Sequence, residues 1–423
     1  MDVYQEFHWR EMVYDATEPL PDVLARGSVT AYVGFDPTAS SLHVGNLLPM
    51  MALARLQRFG HVSIALIGGG TGLIGDPSGK TQERSLMTLE QVDDNLRGIR
   101  SQLERVLDFA APPNPARLVN NADWLRPLDV MTLLRDVGKH FTVNYMLQKE
   151  SVKRRLEQED GISFTEFSYL LLQAFDFLTL FDRYDCTLQL GGSDQWGNIT
   201  AGCDLIRRVR GGKAHGLVLP LVTTATGVKF GKTEAGTIWL GAEQTTPYDF
   251  YQFWLNTDDR DVVRYLKFFT FLEREAIAEL EAATKAAPER REAQRALARE
   301  VTRLVHGDEA LASAERGAAR MFGGNLKGTS ADQFLADLEH LPSVEIEFGP
   351  EGIPITRLAV ESGLEASSSS TIRLIRGGGL YLNEERVSHE RENITADRAI
   401  GGEVFVLRKG RKDRRVVRVK KRR

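Results

Sequence analysis

The chain has 423 residues, 42% of them hydrophobic and 26% charged, with a formal net charge of −4. These proportions are globular, exclude a largely disordered chain and predict roughly two to four domains. The two cysteines, Cys186 and Cys203, are far apart and no Cys/His cluster has zinc-ligand spacing, which argues against disulfides and structural zinc. No apolar run reaches the roughly 20 residues needed to cross a bilayer. The N-terminus, with Asp2, Glu6, Glu11 and Asp15, has neither a signal-peptide nor an acid-poor transit-peptide pattern. A reducing cytoplasm is the expected compartment, with no membrane partner.

In chain order, Thr30 to Phe35 and Val62 to Ile67 read as buried strands on either side of a helix from Leu47 to Phe59. That spacing suits a parallel βαβ unit. Between strand and helix lies Asp36 to Asn46, a loop of small polar residues ending in His43-Val44-Gly45-Asn46. Unpaired N–H groups at such a helix mouth favour phosphate. The stretch Gly68 to Lys80 is dense in glycine, which lets backbone approach a ligand closely. It is not a P-loop, because Ile74 stands where the signature before Gly79-Lys80-Thr81 needs glycine; Gly231-Lys232-Thr233 fails likewise at Thr226.

Thr88 to Phe109 predicts an amphipathic helix. The region from Ala110 to about Asp185 is more irregular, and Phe164, Phe167, Tyr169, Phe175, Phe177 and Phe181 exceed one helical stripe. An extra core surface and a subunit interface both fit that excess. Leu188 to Leu190 and Leu217 to Thr223 read as further strands, each followed by a loop carrying chemistry: Gly191 to Asn198, and Lys229 to Thr233. In open parallel sheets ligands sit outside the carboxyl ends of strands, so the four loops together carry more weight than any one. From Thr246-Pro247 the chain turns helical, with a further helix opening at Pro288 and running to Gly307. Gly323 to Gly352 reads as containing a linker. A small α/β pattern closes the chain: helices Ile355 to Ser362 and Ser368 to Arg376, and strands Leu380 to Leu382 and Val404 to Leu407. From Phe405 to Arg423 there are eleven Lys or Arg against the single Asp413. Such a tail suits RNA, and equally a solvated surface.

Taken alone, His43 is more often a structural histidine, and Lys229 with Lys232 could be a surface turn. Read as a site, Thr38 and His43 can hydrogen-bond phosphate oxygens as charge develops, and the two lysines can clamp a leaving pyrophosphate. Asp36 and Asp76 each precede proline, a common turn former. Tyr169, Gln173 and Asp176 fall on one helix face at i, i+4 and i+7.

In this order, His43-Val44-Gly45-Asn46 and Lys229-Phe230-Gly231-Lys232-Thr233 resemble the HIGH and KMSKS signatures of class I aminoacyl-tRNA synthetases. Tyr32 to Thr38, Gly68 to Ser78, Gly138 to Phe141, Ile162 to Tyr169 and Gly191 to Gly202 extend the likeness to the bacterial tyrosyl-tRNA synthetases. The resemblance implies an α/β architecture. A Rossmann-like catalytic domain (1–224) would carry an inserted dimerisation segment at about 110–187. An α-helical anticodon-side domain with the lysine loop (225–322), a linker (323–351) and an α+β RNA-binding module (352–423) would follow.

It also implies roles. Tyr32 and Asp176 would contact the tyrosine hydroxyl, Asp76, Tyr169 and Gln173 its ammonium, and Gln195 its carboxylate. Gly34, Asp36, Gly45, Asn46, Gly192 and Asp194 would line the nucleotide region, and Thr38, His43, Lys80, Arg84, Lys229, Lys232 and Thr233 the triphosphate. The implied ligands are L-tyrosine, ATP with Mg²⁺ and tRNA(Tyr), with a homodimer and no organic cofactor or zinc. The chain departs from the family pattern in two places. Asn46 replaces the last histidine of the first signature, and its amide can still donate to ribose or phosphate. Ser368, Ser369 and Ile372 stand where basic residues are frequent, and Arg373, Arg376 and the tail remain to meet phosphates. The alternatives are a tryptophanyl-type synthetase, another HxGH nucleotidyltransferase, or a catalytically inactive RNA-binding paralogue.

Overall fold

The computed structural model describes residues 2–78, 87–110, 112–158, 161–228, 230–233, 236–323, 343–349, 351–383, 385–410 and 413–420, with backbone alone at 232, 233, 320–323 and 414. They form two compact units, Met1–Gln244 with Thr257–Leu297, and Thr245–Asn256 with Ala298–Arg423. Helix Asp259–Phe269, expected to belong to a separate helical domain, thus packs in the first unit.

The first unit holds a sheet in the order β1-β6-β5-β2-β3-β4. Its strands are β1 (Asp15–Ala16), β2 (Thr30–Phe35), β3 (Val62–Ile67), β4 (Arg117–Asn120), β5 (Cys186–Gly192) and β6 (His215–Leu219). β2 to β6 run parallel, and β1 pairs antiparallel with β6. Parallel strands are covered on both faces, which is why β2 and β3 are nearly continuous apolar runs. β6 stops at Leu219, short of the expected Thr223, because Pro220 has no N–H for the ladder.

Helices α1 (Val3–Trp9), α2 (Leu20–Arg26), α3 (Leu47–Arg58) and α4 (Leu89–Val106) belong to this unit. α3 is the crossover from β2 to β3 and is buried on nearly every side, from Leu47 to Leu56. Its one charged buried residue, Arg55, donates to the carbonyls of Phe268 and Lys267 at 3.0 Å and of Thr270 at 2.6 Å. Those are orphan carbonyls at the C-terminus of Asp259–Phe269, so a cation there is paired by the helix end.

The chain passes from β2 to β3 and β4 on one side, then returns to β5 on the other. This reversal opens a crevice at the carboxyl ends of β2 and β5. The aromatic-rich stretch resolves into one helix, Phe164–Tyr184, in which Phe177 is fully buried and Phe164 is 77% exposed. Phe177 meets the Tyr32 ring edge-on, with centroids 5.2 Å apart. Phe177→Ala is expected to cost about 3–5 kcal/mol of stability, read as a lower urea midpoint with an unchanged slope.

In the second unit five strands pair in the order Glu385–Arg386, Leu380–Leu382, Val404–Lys409, Asp413–Lys420, Ser343–Glu347. Helices Ile355–Glu361 and Ser368–Arg376 accompany them, over a core that includes Ile355, Leu358, Leu380, Phe405 and Val417. Two expectations change here. Ser343–Glu347 lies in the expected linker yet forms a strand, and the basic tail is a strand through residue 420. Val416 and Val417 are buried and hold that strand in place, while Arg415 and Lys420 stay exposed. The helix expected to open at Pro288 begins instead at Glu292, after a single 3-10 turn at Pro288–Arg290 and a left-handed Arg291, and runs to Gly323 with a break in helical geometry at Gly307, where φ is 86°.

Candidate functional site

Loops at the carboxyl ends of β2, β3, β5 and β6 surround one cavity of about 1160 Å³. That is at or above the upper end of the usual range for a single small ligand, about 300–1,000 Å³. Tyr32, Gly34, Asp36, Thr38, His43, Gly45, Asn46, Asp76, Tyr169, Gln173, Asp176, Gly192, Asp194 and Gln195 all line it. Lys80, Arg84 and Lys229 lie outside the described residues, and Lys232 and Thr233 are placed by backbone alone.

Asp176 sits on Phe164–Tyr184, a helix started by Ser163, whose hydroxyl accepts from Glu166 N. Its carboxylate is only 2% exposed. Trp124 Nε1 donates to Oδ1 at 2.7 Å and Asn121 Nδ2 to Oδ2 at 2.9 Å. Burial pushes the carboxyl up to about 7, against the pull of those two donors, and the charge of Asp36 adds to the rise. Burial and the charge of Asp176 also raise the Tyr32 phenol, which stays neutral and keeps its proton to donate. Tyr32 Oη is buried and has no hydrogen-bond partner among the described residues. Gln189, the register partner of Tyr32 on β5, has a buried side-chain oxygen in the same condition. Buried polar groups are seldom left unpaired, so two such atoms beside a carboxylate mark a place for a polar ligand group.

A connected polar network occupies the next part of the cavity wall. Gln195 Nε2 donates to Asp76 Oδ2 at 2.7 Å, and Gln173 Nε2 to Gln195 Oε1 at 3.1 Å. Asn198 Nδ2 reaches Gln173 Oε1 at 2.9 Å and Ser78 Oγ at 3.2 Å. Asp76 Oδ1 accepts from Ser78 N at 2.9 Å, so the turn expected before Pro77 and the place in the cavity hold together. A second chain of bonds runs from Asp36 through Thr71 Oγ1 to Asn121, whose amide also holds Asp176. The cavity thus presents acceptors suited to an ammonium and an acceptor suited to a phenolic hydroxyl.

At the mouth of α3, His43 and Asn46 cap one turn reciprocally. Gly45 N donates to His43 Nδ1 at 3.0 Å, and His43 N to Asn46 Oδ1 at 3.1 Å. With Nδ1 accepting, the proton of a neutral His43 ring is on Nε2, a donor. A Cβ on residue 45 would stand 2.8 Å from His43 Nδ1, so this turn requires Gly45. Beside it, Val44 N donates to Ile238 O at 3.0 Å, and Ile238 N to Gly231 O at 3.0 Å. Gly231 has φ +79° and would bring a Cβ within 2.5 Å of Val44. Phe230 anchors this segment, stacked on Phe269 with centroids 5.3 Å apart.

Sequence reading missed Thr71, Asn121, Trp124, Gln189 and Asn198. Asn121 follows β4 directly, so the rule applied to the other strand-end loops could have found it. Asn198 ends a strand-end loop already singled out, whereas Trp124 carries no local signal, because its partner Asp176 is 52 residues away.

A family model described as class I tRNA synthetases (W and Y) matches residues 24–323, and one described as a tyrosine–tRNA ligase SYY-like C-terminal domain matches residues 333–417. The tyrosine–tRNA ligase of Roseiflexus castenholzii is 53% identical over 420 residues, covering 99% of each chain. That of Bacillus caldotenax is 52% identical over 97% of this chain and 98% of its own. Among solved structures, a C-terminally truncated mitochondrial tyrosyl-tRNA synthetase of Aspergillus nidulans superposes with a TM-score of 0.70 at 31% identity. It covers 76% of this chain and 94% of its own.

Proposed function

The chain belongs to the class I tRNA synthetases of the tryptophan and tyrosine type, and on that premise we propose that it activates L-tyrosine with ATP and transfers it to the 3′ end of tRNA(Tyr). The observation that carries the choice of tyrosine is the buried pair of Tyr32, whose hydroxyl has no partner among the described residues, and Asp176, whose carboxylate is fixed by two donors. A phenolic hydroxyl donates to the carboxylate and accepts from Tyr32, whereas an indole offers only its N–H.

In this reading Asp76, Tyr169 and Gln173 hold the ammonium group, and Gln195 stands near the carboxylate. That carboxylate attacks the α-phosphorus of ATP, its oxygen forming the new P–O bond as the bond to pyrophosphate breaks. No protein nucleophile is needed, and catalysis rests on positioning and charge. Gly34, Asp36, Gly45, Asn46, Gly192 and Asp194 border the nucleotide, and Thr38 and the Nε2–H of His43 meet the phosphates. Lys80, Arg84, Lys229 and Lys232 offset the negative charge of the leaving pyrophosphate, the Thr233 hydroxyl is a donor to it, and Mg²⁺ arrives with ATP.

The 352–423 module offers phosphate contacts through Arg415, Arg418 and Lys420 on one strand and Arg408, which lies 3.7 Å over the Tyr381 ring. Val130, Met131, Leu134, Val143, Leu156 and Phe164, all large and exposed, support a homodimer through the segment 110–187. Two unpaired cysteines support a reducing cytoplasm. Tyrosine-dependent ATP–pyrophosphate exchange, run beside phenylalanine and tryptophan, tests the reading. Exchange with tryptophan in place of tyrosine would overturn the assigned substrate, and exchange with neither would overturn the activity.

The elevated Asp176 pKa gives a pH dependence. Below about 7 the free protein carries a neutral carboxyl there, a weaker acceptor for a phenol. Tyrosine affinity is expected to fall as pH drops through that value, by at most about tenfold per pH unit. Equilibrium dialysis against pH checks it, and Asp176→Asn should flatten the profile. Stability moves the other way round: the folded state holds this proton more tightly than the unfolded one, so Asp176 costs stability as pH rises from 3.8 to about 7.

A further inference from the structure

The loop from Thr38 to His43 has almost no regular structure of its own, yet its geometry is fixed by one buried hydroxyl. Ser41 is 5% exposed. Its Oγ donates to Leu42 O at 2.7 Å and accepts from Gln102 Nε2 at 2.8 Å and from Gly241 N at 2.9 Å. The hydroxyl thus uses its single donor and both acceptor sites.

The three partners come from three separate stretches. Gln102 lies on α4, where it also accepts from Leu42 N at 2.8 Å. Two more residues of the same α4 face hold the loop: Asn95 Nδ2 donates to Pro37 O at 2.8 Å, and a Cβ at Gly98 would come within 2.0 Å of Ser40 O. Gly241 ends the segment returning from Gly231. Leu240 N donates to Leu42 O at 2.8 Å, Val44 N to Ile238 O at 3.0 Å, and His43 bridges Trp239. Residues 42–44 are therefore laced to 238–240, and Ser41 closes the lacing against α4.

We propose that Ser41 and Gln102 form a joint that fixes the Thr38–His43 loop relative to α4 and the 238–241 segment, and that both are positioning residues for adenylate formation. This inference rests on the activity proposed above. Neither side chain touches the reacting atoms; both act through Thr38 and His43. A misplacement of about 1 Å in such groups can lower a rate about 10²-fold. Tyrosine binding rests on Tyr32, Asp176, Gln173 and Asp76, which this joint does not touch, so rate and tyrosine affinity should separate.

The test uses the full chain with Ser41→Ala, Gln102→Met and the double variant. Measured are tyrosine-dependent ATP–pyrophosphate exchange, equilibrium tyrosine binding, melting temperature, and amide hydrogen exchange at Leu42 and Gly241. The expected result is a fall in exchange kcat of at least about tenfold with tyrosine affinity held within about twofold. The double variant should be hardly worse than the poorer single one, as for residues acting as a unit. Amide exchange at Leu42 and Gly241 should quicken in the single variants, a readout independent of activity. A folded variant with the wild-type rate overturns the joint, and so does a parallel loss of tyrosine affinity and rate, which is mere structural support. Failure of the activity itself would appear instead as wild-type protein without exchange.

Discussion

Asp176→Ala is expected to reduce tyrosine-dependent exchange by about 10² or more, with ATP affinity little changed. The residue does more than offer an acceptor. Its two oxygens are held by Trp124 Nε1 and Asn121 Nδ2, so alanine leaves two buried donors unpaired as well as removing the acceptor for the ligand. Each such orphan costs roughly 1–3 kcal/mol. Asp176→Asn is the sharper variant, because it keeps the volume. Whichever way its amide turns, the NH₂ faces one of the two N–H donors, so the isostere cannot restore the site. Tyrosine enzymes as a class reject phenylalanine by about 10⁵ without editing; that figure belongs to the class, and the present geometry supplies a cause for it. Titration calorimetry with tyrosine and with ATP separates the effects. Equal losses for both ligands would mean that Asp176 supports the cavity as a whole.

His43→Ala is the second large effect. With Gly45 N donating to Nδ1, the proton of a neutral ring is on Nε2, the donor proposed to meet charge that develops on phosphate oxygens. Removing one such preorganised donor lowers kcat by about 10²–10³. Tyrosine affinity should be untouched, because the residues proposed to read the amino acid, Tyr32, Asp76, Tyr169, Gln173, Asp176 and Gln195, do not include His43. The variant also loses the side-chain arm of the reciprocal cap, the bond from Gly45 N to Nδ1, worth about 1 kcal/mol, so melting temperature is expected to fall modestly. Stopped-flow measurement of adenylate formation checks the rate, and an unchanged rate would reduce His43 to the structural histidine it resembles in isolation.

Much of the architecture was legible because it is local. Buried parallel strands give continuous apolar runs, and β2 and β3 matched their expected spans residue for residue. Capping chemistry is equally local, and Thr88 opens α4 with a reciprocal cap to Gln91. The candidate site was legible from the agreement of several strand-end loops in one chain, each weak alone.

Other features were hidden because they depend on who lies opposite. The strand Asp413–Lys420 looked like a charged tail, since its few apolar residues matter only once Val416 and Val417 meet a core. Ser343–Glu347 is a strand because Asp413–Lys420 pairs with it, not because its own sequence demands one. Residues 257–297 were read as another domain, and the carbonyls that Arg55 and Arg10 satisfy tie them to the first unit. By itself the sequence determined the strands, the helix starts and the candidate residues, all set by neighbours within a few positions. Only the tertiary structure decided how those residues are oriented: that Asn121 and Trp124 hold Asp176, and that Ser41 ties α4 and the 238–241 segment to the loop before His43. Those bonds span tens to hundreds of residues, and no local pattern encodes a partner so distant.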